Sequence, residues 1–102
     1  MRTAVLSHAA ASSDVFAAAV AGMHVELWAL NLAMAGAVEM TIDDTADTVL
    51  MGIVKFAAAG LWNPKGNGVP LCVSPDDLGM QMTLDDTVLT AGSVTWRYVT
   101  ND

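Results

Sequence analysis

The chain has 102 residues, 54% hydrophobic and 15% charged, with 11 acidic against 4 basic side chains and a net charge of −7. That length makes one domain of the usual ~100–150 residues. Its hydrophobicity excludes a disordered tail, and its acidity speaks against neutralising phosphates or docking on anionic lipid, so neither nucleic acid nor membrane is an expected partner.

Taken from the N-terminus, Met1 to Ala11 is expected to be a strand near 3–8 or an arm over 1–12 of the single domain 1–102. Ser7 and His8 interrupt its apolar run early, so no secretory leader is expected. The Ala-rich stretch 9–34 could start a helix at a Ser13-Asp14 cap, but Gly22 and Gly36 cut it into pieces of strand length. Ala21-Gly22 and Ala35-Gly36 then read as tight hairpin turns, with both glycines at positive φ. Beyond them Val38, Met40 and Ile42 alternate with Glu39, Thr41 and Asp43, a period of two. The same period returns in Met80, Met82 and Leu84 and again in Val94, Trp96 and Tyr98. Three such segments outweigh the small helix preference of alanine.

Strands are therefore expected near 3–8, 13–21, 23–34, 37–43, 48–58, 69–73, 79–85 and 92–100. Turn residues stand between them, as in Asn63-Pro64-Lys65-Gly66-Asn67-Gly68 and Pro75-Asp76-Asp77. The spacing predicts an all-β fold, a single antiparallel β-sandwich of jelly-roll or Ig-like type with about eight short strands. Two strands look apolar on both faces: 23–34 from Trp28 onward, and 48–58, where Leu50, Val54 and Phe56 oppose Val49, Met51 and Ile53. A sheet with one wet face alternates cleanly, so these stretches predict a second layer from another subunit.

No catalytic motif or cofactor-binding loop occurs. His8 and His24 are the only imidazoles; His24 and Glu26 share a strand face and read as a solvated pair. Cys72 is alone, which rules out an internal disulfide, and reads as a buried small hydrophobe. Asp43, Asp44 and Asp47 lack the spacing of a calcium loop, so they read as turn formers, like Asp76-Asp77 and Asp85-Asp86. The reading is of no enzyme, no cofactor and no metal. Trp62, beside Leu61 at the lip of the 63–68 loop, is a candidate contact.

Several segments together resemble a known group: Ala18-Ala19-Val20-Ala21-Gly22-Met23-His24-Val25, Ala35-Gly36-Ala37-Val38-Glu39-Met40, Leu50-Met51-Gly52 and Ala57-Ala58-Ala59-Gly60. Asp77-Leu78-Gly79-Met80-Gln81-Met82 and Ala91-Gly92-Ser93-Val94-Thr95-Trp96-Arg97-Tyr98 complete the series. Over roughly 12–100 the chain resembles the small β-sandwich capsid decoration proteins of tailed bacteriophages, the cement or head-fibre type. It departs from them in a shorter stretch from Leu71 to Leu78. The resemblance implies a structural protein made in the host cytoplasm, located in the virion, that binds the major capsid protein on the outer surface of the shell and stabilises it without catalysis. It also favours three-fold over two-fold association. From the doubly apolar strands the expectation is a homotrimer whose contacts include Trp28, Leu30 or Met51, and Leu61 and Trp62 are candidates for the subunit or shell interface. Loop 61–68 or the N-terminal arm is then expected to reach the shell. The alternative reading is a small carbohydrate- or receptor-binding module of a phage fibre or tail, using Trp62 with Asn63, Asn67 and Asp76.

Overall fold

The computed structural model describes residues 1–102 as nine strands and no helix. They are β1 (Arg2–His8), β2 (Ser13–Ala17), β3 (Met23–Met34), β4 (Val38–Asp44), β5 (Val49–Phe56), β6 (Gly60–Trp62), β7 (Cys72–Val73), β8 (Met80–Leu84) and β9 (Thr90–Thr100). One sheet runs β1-β9-β3-β6, with β7 also on β3, and the other runs β2-β8-β4-β5. Every pairing is antiparallel. With the two-residue β7 set aside, the pairs nest: β4 with β5, β3 with β6, β2 with β8 and β1 with β9. That is a long hairpin folded over on itself, the jelly-roll form of the sandwich rather than the Ig-like one.

The core lies between the sheets and follows the alternation. Val38, Met40 and Ile42 meet Met80, Met82 and Leu84 from one sheet, and Val25, Leu27, Leu30, Leu32 and Val94 from the other, all at most 4% exposed. Along β3 the inward set is Val25 and Leu27, then Leu30, Leu32 and Met34, odd positions followed by even ones. A bulge at Trp28, where the register to β9 slips between Leu27 and Ala29, inverts the parity. A second bulge in β5, opposite Thr41, does the same, leaving Met51, Val54 and Phe56 toward the core and Ile53 outward. In β3 the expectation of a strand apolar on both faces is therefore corrected: one face is apolar throughout, and an extra residue shifts which positions belong to it. In β5 both faces do carry apolar side chains, with Leu50, Met51, Val54 and Phe56 on the core and Val49 and Ile53 exposed outside.

Three local expectations change as well. The turns at Gly22 and Gly36 are not hairpins: β2 and β4 lie in one sheet and β3 in the other, so both are arches between sheets. Gly22 has φ +80 but Gly36 is not in the left-handed region. The strand expected over 48–58 ends at Phe56, and the chain crosses sheets through 57–59 to β6. The strand expected over 69–73 is reduced to Cys72–Val73.

The N-terminus is a full edge strand rather than an arm, paired with β9 from Arg2↔Trp96 to His8↔Thr90. Nor does the 63–71 loop stand away from the body. Pro64 O accepts from Leu30 N at 3.0 Å, Gly66 N donates to Trp28 O at 2.7 Å, and Leu71 N donates to Leu27 O at 2.7 Å. These bonds satisfy the outer edge of β3 between β6 and β7.

Candidate interaction surface

The five residues expected at interfaces separate by face. Leu30 is fully buried in the core and has no surface to offer a partner, which corrects its assignment. Met51 opposes Ile42 and packs half-buried on the core. Trp62, opposite Leu32, turns inward and meets Phe56 edge to face, with centroids 5.8 Å apart. It closes the flank between β5 and β6 and does not line an open groove. Asp76 lies near His24, roughly 25 Å along β3 from Leu32, so Trp62 and Asp76 form no common binding set.

Leu61 and Trp28 do reach the outer face of the first sheet. Leu61 is 75% exposed and sits opposite Ala33. Trp28, extruded by the bulge, donates its Nε1 proton to Glu26 Oε1 at 3.1 Å and lies under the Arg97 guanidinium, 5.5 Å from the ring centroid. Arg97 also pairs with Glu26. Burial works to raise the Glu26 carboxyl, but the hydrogen bonds from Arg97 and Trp28, with the charges of Arg97 and His24, hold it below its ordinary value. The trio locks one end of the face. His24 takes no part in a pair with Glu26; its Nδ1 lies 3.0 Å from Asn101 Oδ1 and 3.8 Å from Asp76.

Beyond that trio the register builds three cross-strand rows: Ser7, Ala91, Ala33 and Leu61; Val5, Ser93 and Asn31; Thr3, Thr95 and Ala29. None carries a charge. The patch is about 15 Å across and 15–20 Å along the strands, bordered by Lys65 and by the Glu26–Arg97 pair. Small side chains keep it flat, and sequence reasoning missed it because its rows join residues as distant as Ser7 and Ala91. The period-two pattern of each strand was the available signal.

Exposed apolar side chains also stand on and beside the edge strands but on different faces: Val49 and Ile53 on the outer face of the second sheet, Leu61 on that of the first, and Val69 and Val73 along the segment beside β3, all between 42% and 75% exposed. Cys72, half-buried here, has its thiol pushed up to about 11 by burial and is chemically quiet at neutral pH. The outer face of the second sheet differs in kind, with a shallow depression lined by Glu39, Thr41, Thr83, Asp85 and Ile53. Neither a family model, nor a curated protein, nor a solved structure matches this chain.

Proposed function

We propose that this chain is a structural virion protein that lies on the outside of a phage capsid and stabilises the shell. The observation that carries the reading is the uncharged, flat patch on the first sheet of a chain whose net charge is −7. A protein surface can pack on such a patch without desolvating any carboxylate, while the acidic loops and second sheet remain in water. The jelly roll is an architecture that viral capsid domains use, a fold analogy that agrees with the resemblance without replacing the site argument. Self-association, as a homotrimer by the same resemblance, would use the β5 edge, where Val49 and Ile53 are exposed, leaving Leu61 to the docking patch.

The test is co-sedimentation with phage heads stripped of their decoration, at fixed ionic strength. Ala33→Arg and Ala91→Arg should abolish binding with the circular dichroism and melting temperature unchanged, whereas Val15→Arg on the opposite sheet should bind as wild type. Equal loss from all three, or no binding by the wild type, refutes the docking face. Sedimentation equilibrium reports the oligomer separately, and a monomer at micromolar concentration refutes the trimer.

A further inference from the structure

Asp47, Asp76, Asp77, Asp85 and Asp86 stand at turns in water, but Asp43 does not. It lies in β4 on the outer face of the second sheet, 5% exposed. Its Oδ2 accepts from Thr83 Oγ1 at 2.6 Å, while its Oδ1 is sealed from solvent and has no partner. Directly across on β8 is Gln81, itself 4% exposed. Gln81 Nε2 donates to Asp47 Oδ1 at 2.8 Å and to Ser13 Oγ at 3.3 Å, and Ser13 Oγ is 2.7 Å from Thr83 Oγ1. The chain runs Asp43, Thr83, Ser13, Gln81, Asp47, with a carboxylate at each end.

Its proton directions are forced. A carboxylate only accepts, so the Thr83 hydroxyl proton goes to Asp43 and Thr83 must accept from Ser13. Ser13 in turn accepts from Gln81, whose amide nitrogen faces Asp47 for the same reason. Every donor in the cluster is then spent, and the remaining capacity is acceptor only: Asp43 Oδ1, the second Asp47 oxygen and Gln81 Oε1. None of the basic side chains is at hand to compensate. Lys55 pairs with Glu39, Arg97 with Glu26, Arg2 lies over Trp96 and Tyr98, and Lys65 borders β3. A buried carboxylate oxygen left so is costly.

We propose that the oxygens of Asp43, Asp47 and Gln81, on the outer face of the second sheet, bind a hard cation, with Ca²⁺ the divalent ion that suits them. Ca²⁺ accepts carboxylate, amide and water oxygens in flexible geometry. Imidazole and thiolate metals are unsuited to an all-oxygen set, and nowhere in the chain do three His, Cys, Asp or Glu side chains converge. Two carboxylates set the affinity in the weak class, about 10⁻⁴–10⁻³ M. The ion ties the β4–β5 hairpin down onto β8. Asp44 shapes that hairpin, its Oδ1 accepting from Ala46 N at 2.8 Å and Thr48 N at 3.0 Å, and is not a ligand.

The test is the melting temperature of the whole chain in CaCl₂ against NaCl at matched ionic strength, with calorimetric titration of CaCl₂ for stoichiometry. Saturable one-to-one binding should raise the melting temperature by roughly 5–10 °C at ten times the dissociation constant. Asp47→Asn keeps the acceptor for Gln81 and tolerates the positive φ of 67 at that position, so it should fold and lose the calcium response. Asp43→Asn should also lose it, and Asp47→Asn decides if that variant does not fold. No rise beyond the NaCl control, or a rise retained in Asp47→Asn, overturns the proposal.

Discussion

Leu30 and Leu61 test the bulge at Trp28 most directly, because only the inverted parity puts the first in the core and leaves the second on the surface. Leu30→Ala removes three side-chain carbons from a site that is 0% exposed. Transfer alone accounts for roughly 2.4 kcal/mol at ~0.8 kcal/mol per carbon. The cavity left between two packed sheets brings such changes to about 2.7–5 kcal/mol. A domain of this size has about 5–15 kcal/mol in total, so the variant should melt roughly 10–30 °C lower. Leu61→Ala, at 75% exposure, should change stability by less than about 0.5 kcal/mol. Urea unfolding of the two variants beside wild type, with the slope checked for constancy, gives both numbers. If the two leucines cost the same within about 1 kcal/mol, Leu30 is not an inward residue and the parity inversion is wrong.

The glycines give a second comparison. A Cβ on Gly66 would overlap the Val69 carbonyl oxygen and stand 3.0 Å from the Trp28 ring, whereas one on Gly36 would meet only Val88 at an ordinary 3.8 Å. Gly66→Val should therefore lower the melting temperature well below that of Gly36→Val, and the reverse order would mean that the 63–71 segment does not lie along β3. Glu26 supplies a pH dependence. Its folded value is lowered from 4.5, so its contribution to stability is present above that pH and is lost as the pH falls through the lower folded value. Glu26→Gln should flatten the acid limb of the stability curve relative to wild type, measured by urea midpoints from pH 6 to pH 2.5, and parallel curves would refute the assignment.

The all-β class and most strand positions were legible because β4, β8 and the second half of β9 are half-buried strands without a bulge on the alternating stretch. There Val38, Met40 and Ile42, then Met80, Met82 and Leu84, declare the inner face residue by residue. The parity of β3 and β5 was not legible. A bulge is fixed by the partner strand, and nothing in Leu27-Trp28-Ala29 or Met51-Gly52-Ile53 says that one residue stands outside the count. Turn chemistry was equally silent about destination. Ala21-Gly22 and Ala35-Gly36 do reverse the chain, but a hairpin and an arch to the opposite sheet use the same residues, and only long-range pairing with β8 and β9 separates them.

The same distinction explains the surface. Alternation states which way a side chain points and leaves open what lies above it. Leu61 and Trp62 are neighbours in the sequence and sit on opposite sides of β6, one exposed and one packed on Phe56. Asp43 shares the outward parity of Glu39 and Thr41, which fits a wet surface residue, yet it is buried, bonded to Thr83 and opposite the buried Gln81. The nesting of pairs is what produces both outer faces. It sets β1 beside β9 and β2 beside β8, so each face is assembled from the two ends of the chain as well as its middle. An uncharged patch made of Ser7, Ala33 and Ala91 with Leu61 is consequently spread through the sequence as isolated residues, the three small ones unremarkable in their own strands. It becomes a surface only through the register.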